Sequence, residues 1–155
     1  MEEVWVSSMK SYIAILGRSV WALLNTYYAV VRSKAYCPDS IHVFAEEPYE
    51  KDLGKVEDGL RIISVGFGLD PIIQQDTVSE ADFFEAGHKV SSLVKSLKDS
   101  GSEVAIDTTS GRKTVHACTY ASEKKSGCES EYIGIEGNGL CFRPNLWYFI
   151  LPILM

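Results

Sequence analysis

In the stretch VAIDTTSGRKTVHA, Val104 to Ala117, an apolar run ends in Asp107, a hydroxyl- and glycine-rich turn follows, and Arg112 and Lys113 stand side by side where a helical pattern begins. A strand that passes through such a turn into a helix is the basic unit of an α/β protein. The two cations lie at the positive end of the expected helix dipole, where acidic residues are preferred. That placement is unfavourable unless an anion sits between the cations and the free backbone N–H groups. Helix starts bind phosphate for the same electrostatic reason.

The same alternation extends outward in both directions. SYIAIL, Ser11–Leu16, reads as a buried strand closed by Gly17, and a helix over Ser19–Ser33 follows with Ser19 as its N-cap. Pro38 and Asp39 mark a loop before a second strand, Ser40–Ala45. Tyr49–Leu69 starts as a polar amphipathic helix and ends in a glycine-rich bend, and Pro71–Val78 is a third strand. Ser79 with Asp82 suggests a capping box for the clearest helix, Ala81–Gly101, with Gly101 just past its end. After the strand Glu103–Asp107 come a helix over Gly111–Lys125 and a strand over Glu131–Gly137. A turn-rich Asn138–Asn145 and a final apolar strand, Leu146–Leu154, complete the chain. The order predicts one α/β domain over residues 1–155: a Rossmann-like, doubly wound, mainly parallel sheet with helices on both faces. No repeat, low-complexity segment or linker divides it.

The 155 residues suffice for one domain with a real core, and 46% hydrophobic with 23% charged residues is ordinary for a soluble globular protein. A net charge of -6 argues against long nucleic acid as a partner, which needs a wide basic surface. It leaves room for a small anion in a local basic pocket. Cys37, Cys118, Cys128 and Cys141 form no C-x-x-C pair, so neither a zinc site nor any other metal is expected. The N-terminus lacks a secretory pattern, which points to reduced thiols and a cytoplasmic location. The apolar C-terminus, LWYFILPILM, is too short to span a bilayer and is interrupted by Pro152, so it reads as a buried last strand ahead of a membrane tail, and no membrane partner is expected.

Doubly wound sheets bind ligands beyond the carboxyl ends of their strands, where strand order reverses. Two loops fit that position. Ile15–Ser19 offers Gly17 for close backbone approach, Arg18 for charge and Ser19 for a hydroxyl. Asp107–Lys113 offers Thr108, Thr109 and Ser110, a glycine at 111, and the two cations. Taken singly, Ser19 reads as a helix cap, the hydroxyls as turn residues, and Lys113 as a surface charge. The combination points to a phosphate-bearing ligand. Neither loop matches the dinucleotide fingerprint or the Walker pattern, and no cofactor is expected. His42 reads as a core or interface residue of a strand, and His88 as a half-buried helical residue. His116 stands one turn after Arg112. Asp107 with Asp70 or Asp76 is a thin basis for a metal nuclease. Trp21, Tyr27 and Tyr28 read as core or interface aromatics ahead of base-stacking ones.

These two loops resemble those of the CARF family, the CRISPR-associated Rossmann-like fold. Gly17 and Ser19 match its first motif, a glycine and then a small hydroxyl residue after the opening strand. Asp107, Thr109, Gly111 and Lys113 match its second, with two-residue steps between Asp, Thr, Gly and Lys. The resemblance covers nearly the whole chain in element order but only these loops in residues. It implies a homodimer that binds a cyclic oligoadenylate ring across its two-fold axis, in type III CRISPR antiviral signalling. Tetra-adenylate stands ahead of hexa-adenylate as the ring. It also implies ring-nuclease chemistry without metal: a ribose 2′-hydroxyl attacks the adjacent phosphate and leaves a cyclic 2′,3′-phosphate.

Carried over, Lys113 stabilises the charge that develops on phosphorus, and Ser19 orients the reacting ribose or phosphate. Gly17, Arg18, Asp107, Thr108, Thr109, Ser110, Gly111 and Arg112 line the ligand. Arg18 departs from the small residue common at its position. Arg112 and His116 are too close for the ribonuclease motif of the family's effector domains. Two alternatives stay open: a sensor or sponge that binds the ring without cutting it, and a Rossmann-like hydrolase or transferase acting on a mononucleotide.

Overall fold

A computed structural model of the chain describes residues 8–34, 36–107, 109–111, 131–136 and 139–144. Strand β1 (Lys10–Leu16) is buried from Ser11 onward because it is paired on both sides. Its register runs from Ser11 opposite Ser40 to Leu16 opposite Ala45 on β2 (Ser40–Glu46), and from Lys10 opposite Glu103 to Ala14 opposite Asp107 on β4 (Glu103–Asp107). Both pairings are parallel. β3 (Ile72–Val78) adds in parallel to β2, and β5 (Glu131–Glu136) adds in parallel to β4. β6 (Gly139–Pro144) pairs antiparallel with β5, so the six strands lie in the order β3-β2-β1-β4-β5-β6. The near-continuous apolar runs of β1 and β2 follow from this position, since inner parallel strands are covered on both faces. β3 lies at an edge and carries Gln74, Gln75 and Asp76 exposed.

Two apolar layers hold the sheet. On one face, α1 (Val20–Arg32) and α2 (Leu53–Gly66) bring Leu23, Tyr27, Val30, Val56 and Leu60 against Tyr12, Ala14, Ile41 and Val43. On the other, α3 (Phe83–Asp99) brings Ala86, Val90 and Val94 against Ile13, Ile15, Phe44 and Ile106. Alternate β1 residues thus feed opposite layers, as the two-residue strand period requires. The single α/β domain with a mainly parallel sheet and helices on both faces is the one expected from the alternation of strands and helices.

Local details differ from the sequence reading. The helix expected over Tyr49–Leu69 is a 3-10 turn, Glu47–Asp52, followed by α2. Pro48 accounts for the early start, because its ring suits the first positions of a helix. Asp82, not Ser79, caps α3, accepting the Glu85 N–H at 2.9 Å. Ser79 accepts the N–H groups of Ala81 and Asp82 in the preceding turn. Gly101 does end α3, with φ 82° and its N–H on Lys98 O at 2.9 Å. Part of the turn-rich Asn138–Asn145 is strand β6. Pairing with β5 overrides the weak local propensity of its glycine and proline, and Pro144 sits at the strand's last residue. The helix expected over Gly111–Lys125 and the strand over Leu146–Leu154 lie outside the described residues. Among the described residues, no helix is long and apolar enough to cross a membrane.

Candidate functional site

The strand order reverses between β1 and β4: the chain leaves β1 over the face that carries α1 and reaches β4 from α3 on the other face. Their carboxyl ends therefore border the site where such sheets bind ligands. The loops after these two strands are the two singled out from the sequence.

The structure stitches them together. The Ser110 hydroxyl donates to the Ser19 carbonyl at 3.0 Å and accepts the Gly17 N–H at 3.4 Å. Gly17 is buried against Ser110, and a Cβ at that position would meet the Ser110 carbonyl oxygen and, at 3.3 Å, the Gly111 Cα. Glycine is required here by close approach of two backbones. Ser19 caps α1, its hydroxyl accepting the Ala22 N–H at 3.1 Å, and the first turn of α1 holds no acidic residue. Arg18 is exposed at the mouth of the same loop. The result is a positive helix start, without an acidic residue in its first turn, beside a loop that Ser110 pins to it.

Asp107 ends β4 and is 1% exposed. Its Oδ1 accepts the Thr109 N–H at 2.8 Å and the Thr109 hydroxyl at 2.6 Å, and its Oδ2 accepts the Tyr12 hydroxyl at 3.0 Å. Burial pushes the carboxyl up to about 6, against the lowering effect of these hydrogen bonds. Burial, and then the charge and hydrogen bond of Asp107, raise the Tyr12 phenol well above its ordinary range. The Thr109 hydroxyl also lies 2.9 Å from that of Thr26, which donates to the Ala22 carbonyl at 2.9 Å. Asp107, Thr109 and Ser110 thus direct their polar atoms to one another, to β1 and to α1. Gly17, Ser19, Asp107, Thr109, Ser110 and Gly111 come together as one unit. Thr108, Arg112, Lys113 and His116 lie outside the described residues.

Other candidates stand apart. Asp70 precedes β3, at the opposite end of the sheet from Asp107, and Asp76 pairs with Lys89 at 2.8 Å on the exposed edge strand. The Lys89 hydrogen bond lowers the Asp76 carboxyl. His42 is buried in β2, and burial lowers its imidazole. His88 is exposed on α3 instead of half-buried. Tyr27 is a core residue, packed edge-on to Tyr12 at 5.4 Å with its hydroxyl on Ser64. Tyr28 is exposed against Phe67, and Trp21, 74% exposed, is no core residue.

Two residues of the site were not read from the sequence. Thr26 stands on the apolar stripe of α1 between Leu23 and Val30, and a hydroxyl at such a position was the available signal. Tyr12 had no signal beyond its place in a buried strand.

The fold is shared with two solved ring-bound proteins. One is Can2 from Sulfobacillus thermosulfidooxidans in complex with cyclic tetra-adenylate, with a TM-score of 0.57 and 11% identity over 81% of this chain. The other is Enterococcus italicus Csm6 bound to cyclic hexa-2′-fluoro-hexa-dAMP, with a TM-score of 0.59 and 17% identity over 83% of this chain. The match spans 32% and 34% of those two chains, about a third of their length. No family model and no curated protein matches this chain.

Proposed function

We propose that this chain binds a cyclic oligoadenylate ring where Gly17–Ser19 meets Asp107–Gly111, as a homodimer with the ring on its two-fold axis, and cleaves the ring. The observation that carries this reading is the Ser110 bridge. It locks the loop after β1 to the loop after β4 at the reversal of strand order, beside a helix start whose first turn has no acidic residue. A positive helix end with no acidic residue in its first turn suits a phosphodiester. The motif resemblance and the ligands named for Can2 and Csm6 support a ring of adenylates. A ring with two-fold symmetry suits an isologous interface.

In this reading the chain acts in type III CRISPR signalling, and the chemistry is transesterification. A ribose 2′-oxygen forms a bond to the adjacent phosphorus, and the bond from phosphorus to the 5′-oxygen breaks. The 2′-proton is lost and a proton is gained by the leaving 5′-oxygen, giving a 2′,3′-cyclic phosphate and a 5′-hydroxyl. Ser19 accepts the Ala22 N–H through its oxygen, a bond that does not use its own proton, which is directed to a ribose or phosphate oxygen. Lys113 neutralises charge on the phosphoryl oxygens as it develops, and Arg18 and Arg112 hold flanking phosphates. Asp107, Thr109 and Ser110 shape the loop from within.

Incubation with cyclic tetra-adenylate and cyclic hexa-adenylate in EDTA, followed by chromatography, tests the assignment. The expected products are linear oligoadenylates ending in a cyclic 2′,3′-phosphate, with the tetra-adenylate turned over first. A ring that binds tightly and stays intact for hours would make the chain a sensor or sponge. Preference for linear mononucleotides would remove the cyclic-ring assignment altogether.

A further inference from the structure

Three oxygen–oxygen contacts run in line from β4 into α1. Asp107 Oδ1 lies 2.6 Å from Thr109 Oγ1, Thr109 Oγ1 lies 2.9 Å from Thr26 Oγ1, and Thr26 Oγ1 lies 2.9 Å from the Ala22 carbonyl oxygen. Each is within hydrogen-bond range and each needs one proton. The two threonine hydroxyls carry two protons between them. With Asp107 ionised, one contact sets lone pair against lone pair, beside a threonine that is 0% exposed and a carboxyl that is 1% exposed. A proton on Oδ1 completes the series by reversing the first contact, which an ionised carboxylate could only accept: Asp107 donates to Thr109, Thr109 to Thr26, and Thr26 to the helix carbonyl, while Oδ1 still accepts the Thr109 N–H at 2.8 Å through a lone pair. The Tyr12 hydroxyl donates to Oδ2 and is compatible with either state.

We propose that Asp107 carries the third proton of this chain, and that the completed chain locks the β4 turn against α1 so that anion binding at the crevice takes up a proton. The coupling rests on reading the crevice as the cyclic oligoadenylate site; the chain itself does not. A phosphate brought near a buried carboxylate disfavours its ionised form. By linkage, the form that binds the anion better is the protonated one. The groups that face Asp107 are the Tyr12 phenol from β1, with the Tyr27 phenol against its ring, and the uncharged Thr26 and Thr109. Among the described residues the groups that shift it are uncharged, and burial has the largest effect. Arg112 and Lys113, the next cations along the chain, lie outside the described residues and pull the carboxyl the other way wherever they approach it.

The ligand-free test is an NMR titration of the Asp107 side-chain carbon in the wild type, Thr26→Val and Thr26→Ser. In the wild type the midpoint is expected well above the ordinary 3.8, and a midpoint near that value would overturn the chain without any variant. Thr26→Val leaves Thr109 with one proton and Asp107 as its acceptor, so ionised Asp107 becomes sufficient and the midpoint falls by about a unit. Burial alone makes the opposite forecast, because a methyl in place of a hydroxyl leaves the carboxyl no better solvated. An unchanged or raised midpoint in Thr26→Val would therefore sink the chain, and Thr26→Ser should keep the wild-type value. Calorimetry with cyclic tetra-adenylate in two buffers of different ionisation heat then reads the coupling. A fraction of a proton taken up per site is expected, with affinity up to about tenfold tighter at pH 5 than at pH 8 for a one-unit rise. Binding without proton uptake overturns the coupling. Absence of binding at every pH counts against the cyclic-ring reading instead, and the ligand-free titration still decides the chain.

Discussion

At the scale of single residues, the proposed site divides into groups that shape the loop and groups that would meet a ligand. Ser19 does both in this reading: its oxygen caps α1, and among the described residues no partner takes its proton. Lys113→Ala is expected to slow ring cleavage by roughly tenfold to a thousandfold, the usual cost of one transition-state stabilising group, and to weaken binding less. Ser19→Ala should follow in the same direction with a smaller effect on cleavage. It should also lose about 1 kcal/mol of stability as a missing helix cap. Single-turnover rates and equilibrium binding on the same samples separate the two effects, and an equal loss in both would deny Lys113 a role in the chemical step. Asp107 supplies a pH test. Its carboxyl is raised to about 6 in the folded chain from an ordinary 3.8. Its contribution is therefore fully present below pH 3.8 and is lost as pH rises through 6. Asp107→Asn removes that titration. Relative to the variant, the wild type should lose roughly 2 kcal/mol of stability between pH 4.5 and pH 7.5, read by urea denaturation at both values. A difference that stays flat with pH would mean the carboxyl does not titrate in this window.

At the scale of elements, the site is a junction of two βα loops and the body of one helix. Ser110 binds the β1 loop and Thr109 binds the second turn of α1, so the β4 turn is held at two points. Gly17→Ala tests the tighter point. The new Cβ meets backbone, which cannot rotate away as a side chain can. Displacing the turn is expected to cost about 1–3 kcal/mol of stability and to weaken ring binding by more than tenfold, the sheet itself remaining folded. Thermal unfolding by circular dichroism and a fluorescent-ring titration would show both, and wild-type affinity in Gly17→Ala would mean the loops need not interlock. Gly59 is a milder case. Its Cβ would meet the Leu24 side chain, at 2.6 Å from Cδ1, and a leucine end can rotate aside. The elements themselves were legible where pattern and burial agree. β1, α1 with its Ser19 cap, β2 and α3 with its Gly101 end follow from apolar period and punctuation. β6 was not legible, since its strand character comes from pairing with β5 and not from its own residues.

At the scale of the whole molecule, the net charge of -6 makes a local anion site conspicuous in its effect on binding. If the ring binds as proposed, its affinity should fall as salt rises, because bringing a polyanion to an acidic protein depends on local cations such as Arg18. Light scattering is expected to show a dimer at micromolar concentration in the presence of cyclic tetra-adenylate. A monomer with and without the ring would remove the two-fold arrangement. By itself the sequence determined the class of fold. Short apolar runs and amphipathic stretches of helical period alternate, and a parallel sheet covered on both faces buries the runs and the apolar side of each helix. It also singled out the two loops, by hydroxyls, glycines and cations gathered at strand ends, although it did not show that Gly17, Thr109 and Ser110 serve to join them. Only the tertiary structure decided that the two loops meet. Ser110 is 91 residues from Ser19, and nothing local to either predicts their hydrogen bond. Only the tertiary structure, too, turned Asp107 inward. Its burial depends on Tyr12 from β1, 95 residues away, and on the chain of threonines that closes over it from α1. Contacts between residues so far apart depend on strand order, and strand order is set by how all the apolar faces are covered at once.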